Sequence, residues 1–116
     1  MVSIEKWFSV HEQTSQIGNE IRSVARLIEL SKSLEVFDAP LNCLDLYKKY
    51  DVTMREFVMH MNAILAADLN YPIIIGEDGE ILDGRHRIMK ALHLGLTTVK
   101  AVRFDKNPPP CRYKSN

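Results

Sequence analysis

The sequence predicts a small single α+β domain, a compact mixed sheet flanked by about three helices, and three observations carry that prediction. Apolar residues keep helical spacing in two separate segments, after Asn19 and after Thr53. The run Pro72-Ile73-Ile74-Ile75 reads as a buried strand, and Gly76-Glu77-Asp78-Gly79 supplies the turn into Glu80-Ile81-Leu82. A third helical segment opens at Asp83-Gly84 and stops at Gly95, after which Thr97 to Phe104 alternates as a last strand.

Residues 1–18 are weakly patterned and are expected as an N-terminal extension, with a short strand at Trp7-Phe8-Ser9-Val10. Asn19 is an N-cap candidate, and Ile21, Val24, Leu27, Ile28 and Leu30 mark a helix running to about residue 34, with Lys32 suited to its last turn. Val36 to Leu46 reads as extended, most clearly at Leu44 and Leu46, and Pro40 points to a sheet edge or a strand start. Thr53-Met54-Arg55-Glu56 fits a capping box. Behind it Phe57, Val58, Met61, Ile64 and Leu65 form one apolar stripe, expected to face the core, and Met54, Met59 and Met61 are read as core packing rather than a partner groove. His60 falls beside that stripe and is expected to be structural. On the third helix Ile88, Ala91, Leu92 and Leu94 are expected inward. Asn107-Pro108-Pro109-Pro110 cannot continue a strand, so residues 105–116 are expected as an extended, exposed tail, leaving 19–104 as the domain.

Bulk properties remove several function classes. At 116 residues the chain can build one core. Fifteen basic and fifteen acidic side chains cancel, which weighs against gripping long duplex DNA through many phosphates. The longest apolar run, Tyr71 to Ile75, is too short to span a bilayer, and the start lacks an apolar signal region, so a cytoplasmic protein with no membrane partner is expected. Cys43, in an apolar stretch, is expected as a buried thiol, Cys111 lies in the polar tail, and no disulfide is expected between them. His60, His86 and His93 form no zinc-type cluster.

The stretch Asp83-Gly84-Arg85-His86-Arg87 carries the most chemistry. A helix start presents unpaired N–H groups and the positive end of the helix dipole, so it attracts anions. Gly84 lets the backbone approach a ligand, the N–H groups of Arg85, His86 and Arg87 would face a phosphate, and a guanidinium offers it a bidentate fork. His86 adds a hydrogen bond or a charge. Asp83 either caps the helix or meets a divalent cation, and Mg²⁺ suits such an oxygen-rich site. The plainer reading makes Asp83 an N-cap, Gly84 a turn residue and the basic side chains a solvated face. That face sets cations at the wrong end of the dipole, at a cost of up to about 1 kcal/mol.

In order and spacing, Tyr71-Pro72-Ile73-Ile74, Asp78-Gly79 and Asp83-Gly84-Arg85-His86-Arg87 through Ala91 to Gly95 resemble the ParB/sulfiredoxin superfamily, above all its stand-alone ParB-like domains. The resemblance covers about residues 36–104. It implies a ParB/sulfiredoxin-like fold whose glycine turn and helix start bind the phosphates of a nucleotide such as ATP, ADP or CTP, with Mg²⁺, for hydrolysis or phosphoryl transfer. Sulfiredoxins carry a reactive Cys after the glycine; Arg85 stands there, which excludes sulfinic-acid reduction by that route. Partition ParB proteins have Gly-Glu-Arg-Arg, so Gly84 and Arg87 match while Arg85 and His86 do not, and they carry a helix-turn-helix domain that these residues do not include. The superfamily's free-serine kinases use Asp-Gly-x-x-Arg, reproduced by Asp83, Gly84 and Arg87, and need a further carboxylate, for which Asp45 and Glu56 are the candidates. The resemblance thus assigns Gly84, Arg85, His86 and Arg87 to phosphate binding, Asp83 and His86 to catalysis, and Asp83 to the metal. Two other functions stay open. Lys90, Lys100, Arg103 and Lys106 could extend the basic face into a nucleic-acid-binding or nuclease module. Trp7, Phe8 and the Pro-rich tail could serve a non-catalytic partner-binding or inhibitory protein of a mobile element.

Overall fold

The computed structural model describes residues 13–114, and the strand expected at 7–10 lies outside them. The elements are β1 (Thr14–Ile17), β2 (Glu20–Ser23), α1 (Val24–Ser31), β3 (Phe37–Pro40), α2 (Met54–Ala66), β4 (Ile73–Ile75), β5 (Ile81–Asp83), α3 (Arg85–His93), β6 (Thr98–Arg103) and β7 (Arg112–Tyr113). They make a small α+β domain with two sheets, β1-β2-β7 and β3-β6-β4-β5. β4 and β6 run parallel, joined by the crossover through β5 and α3; the other pairs are antiparallel.

Within the larger sheet β4 is buried on both faces, which is why Ile73-Ile74-Ile75 is an unbroken apolar run. Ile73, Ile75, Val99 and Ala101 point toward Ile88 and Ala91 of α3. Ile74, Leu82, Val102 and Phe104 point the other way, onto Leu27 of α1. Alternate residues of one strand thereby serve two separate clusters. Thr53 and Glu56 close the capping box of α2 in both directions, and Gly95, at φ 71°, ends α3. Pro40 is the last residue of β3, an edge strand, where a missing N–H is harmless.

Five expectations are corrected. Residues 20–23 form β2 rather than the start of a helix, because β1 and β7 pair with them on both sides; α1 begins only after Ser23, whose side chain caps Arg26 N–H. The extended segment ends at Pro40, followed by a single 3-10 turn at Leu41–Cys43, and Leu44 and Leu46 pack on the core without strand pairing. Cys43 is exposed. The stripe on α2 does not face the core, since none of the described residues of that helix is buried, and Leu92 and Leu94 are exposed as well. The tail is not free: β7 pairs with β2, and the buried Arg22 donates from Nε to the carbonyl of Pro108 at 2.8 Å.

Candidate functional site

β5 delivers Asp83 to the edge of the core and Gly84 turns the chain into α3. Gly84 sits at φ 110°, ψ 20°, a conformation that L side chains rarely adopt. A Cβ there would also stand 2.5 Å from Cγ2 and 3.0 Å from Cα of Ile73, which is fully buried. The glycine is therefore required by close approach of two backbones as well as by its φ. No acidic residue lies in the first turn of α3, so Arg85, His86 and Arg87 stand together at the positive end of the helix.

These three basic residues have different fates. Arg87 turns back to the protein: its Nη2 donates to Asp83 Oδ2 at 2.7 Å, and its Nη1 to the carbonyls of Pro72 at 2.9 Å and Tyr71 at 3.2 Å. The fork expected for a phosphate thus ties α3 to the segment entering β4. Asp83 serves neither as the helix cap, which is Gly84, nor as a free carboxylate. His86 faces α2, with its Nε2 2.7 Å from Nδ1 of His60 and the ring centroids 5.0 Å apart. Burial lowers the pKa of His86 below its ordinary 6.5; the neighbouring His60 and Arg87 push it the same way, and Asp83 opposes them.

Arg85 alone turns outward. It lines a cleft of about 240 Å³ together with Asp45, Leu46, Lys48, Tyr50, Glu80, Ile81, Ile88, Met89 and Leu92. Among the described residues no hydrogen bond or ion pair holds its guanidinium. Lys48 brings a second cation, 5.6 Å above the Tyr50 ring. Two carboxylates share the cleft. Asp45 accepts from Tyr47 N–H within its own loop, and Glu80 from Asp78 N–H and Asn107 Nδ2 in the turn before β5. The cleft therefore offers two cations, two carboxylates that already accept hydrogen bonds from their own surroundings, one aromatic ring and an apolar floor.

Of the residues expected at the site, Asp45 and Arg85 are brought into one cleft, while Asp83, His86 and Arg87 lie beside it in contacts within the protein. Glu56 is exposed and spends its carboxylate on the capping box of α2. Lys90 donates to the carbonyls of Leu65 and Ala67 and Arg103 to that of Glu77, so neither is a loose member of a basic face. Among the described residues no group of three or more His, Cys, Asp or Glu is placed to hold a metal ion. A Mg²⁺ ion here would have to arrive with phosphate oxygens, and the carboxylates of the cleft lining are Asp45 and Glu80, since Asp83 is paired with Arg87. Sequence reasoning missed Lys48, Tyr50 and the partnership of His60 with His86. The first two lie in a loop without periodicity, and a contact across 26 residues leaves no local trace.

Comparison with models of protein families, with curated proteins and with solved structures finds no match. No helix among the described residues is long and apolar enough to cross a membrane.

Proposed function

We propose that this chain binds a nucleotide or a similarly phosphorylated small molecule in the cleft between α3 and the loop carrying Asp45 to Tyr50. The observation that carries the reading is the unpaired Arg85 guanidinium facing an open cleft along the flank of α3. A phosphate there meets Arg85 and the Lys48 ammonium, each of which favours an anion. It also relieves the cost of stacking cations at the start of a helix. The Tyr50 ring and the apolar floor of Leu46, Ile88 and Leu92 suit a base or another flat group attached to the phosphate. The resemblance to ParB/sulfiredoxin domains points the same way, with Arg85 in place of Arg87 as the phosphate ligand.

Calorimetry with ATP, ADP, CTP and pyrophosphate, with and without Mg²⁺, tests this on the wild type and on Arg85→Ala and Lys48→Ala. Saturable binding of a phosphorylated ligand that weakens at least tenfold in both variants is expected, with Tm unchanged in the absence of ligand. Absence of binding at millimolar ligand, or binding indifferent to Arg85, overturns the reading.

A further inference from the structure

Helix α2 is a thirteen-residue helix with a complete capping box, yet none of its described residues is buried. Its contact with α3 includes polar links from His60 to His86 and from Lys90 to the carbonyls of Leu65 and Ala67. Away from that contact, Met54, Phe57, Val58, Met61 and Leu65 are exposed by 89, 56, 53, 43 and 58%. At 100° per residue, their spacing of i, i+3, i+4, i+7 and i+11 gathers them on an arc of about 100°. Such a stripe belongs against an apolar surface, and it is too long and continuous for chance exposure of single side chains.

We propose that this stripe is the interface of a homodimer in which α2 packs against α2 of a second copy. Three observations favour a second copy over another partner. The stripe carries no charge, since the only ionised residues of α2, Arg55 and Glu56, lie off it; self-pairing therefore brings no like charges together. The chain has a formal net charge of zero, so no long-range repulsion opposes association with itself. The stripe also has the right extent. Its exposed fractions leave on the order of 500 Å² of apolar surface per copy, hence about 1,000 Å² in a pair, the lower bound for a specific interface. A reversible dimer follows, and Met54 and Met61 supply side chains that adapt to an imperfect match.

Sedimentation equilibrium of the full chain over about 5–500 μM is the test. A monomer–dimer equilibrium is expected, weakened at least tenfold by Met61→Lys and by Val58→Lys and unchanged by Ser33→Lys outside α2. Because neither stripe residue is buried, circular dichroism and Tm should remain those of the wild type, which separates loss of the interface from loss of the fold. A wild-type chain that stays monomeric throughout the range overturns the proposal, as does a dimer that survives both stripe variants. A monomer whose single tryptophan, Trp7, shifts its emission in Met61→Lys also overturns it, and assigns the stripe to the chain's own first residues.

Discussion

Replacing Gly84 with alanine should damage the protein far more than the size of a methyl group suggests. At φ 110° the residue lies where an L side chain strains the backbone, a cost of about 1–2 kcal/mol. The added Cβ would stand 2.5 Å from Ile73 Cγ2 and 3.0 Å from Ile73 Cα, well inside contact distance. Ile73 is completely buried between β6 and α3 and cannot swing away, so overpacking adds about 1–3 kcal/mol. Alanine also stiffens the unfolded chain, which returns about 0.4–1 kcal/mol. The net expectation is a loss of about 1–4.5 kcal/mol, centred on about 3, a large share of the stability of a domain this size. Gly95→Ala is the control: its φ of 71° is also positive, but a Cβ there meets nothing within 4 Å, so the backbone strain of about 1–2 kcal/mol and the same unfolded-state offset apply without overpacking. Urea denaturation of both variants, read as a change of midpoint at constant slope, gives the comparison. Equal losses in the two variants, or a loss at Gly84 below about 1 kcal/mol, would refute the close approach of Gly84 to Ile73.

Two further expectations separate structural from ligand-facing groups. Arg87→Ala should cost about 2–3 kcal/mol in urea, because it leaves Asp83 and the carbonyls of Tyr71 and Pro72 without their donor, whereas Arg85→Ala should stay within about 0.5 kcal/mol of wild type; reversed sensitivities would mean that the two arginines have been assigned the wrong roles. For pH, the sign follows from the lowered pKa of His86: the unfolded chain takes up a proton near 6.5 that the folded chain refuses. Stability should therefore be full above that value and fall as pH drops through it toward the folded pKa. The urea midpoint should decrease between pH 7.5 and pH 5 in the wild type and decrease less in His86→Gln, and parallel decreases would count against the burial of His86, reinforced by His60, as the cause.

Much of the fold was legible locally. The capping box of α2, the triple isoleucine of β4, the turn at Gly76 to Gly79 and the stop at Gly95 are each written in adjacent residues, and each formed where it was expected. The failures share a cause. Ile21 keeps the spacing of a helix with Val24 and Leu27, but pairing with β1 and β7 offers its backbone groups a sheet instead. The tail reads as free because Pro108 has no partner nearby in sequence; its partner is Arg22, 86 positions earlier. The apolar face of α2 reads as core because periodicity reports that a face is apolar without reporting what covers it.

The same division runs through the candidate site. Asp83-Gly84 followed by three basic residues was visible as a glycine turn opening a helix with cations at its positive end, since those features depend only on neighbours in the chain. Which of the cations faces solvent was decided by the tertiary structure. Arg87 is one helical turn from Asp83 and within reach of the carbonyls that precede β4, so it is consumed by the fold; Arg85 lines a cleft shared with Asp45 to Tyr50 and stays unpaired among the described residues. Sequence by itself determined the α+β class and the clustering of cations behind a glycine turn at the start of a helix. Only tertiary packing decided which of those cations stays unpaired and left α2 without a buried residue among those described, because both depend on groups far apart along the chain meeting in space.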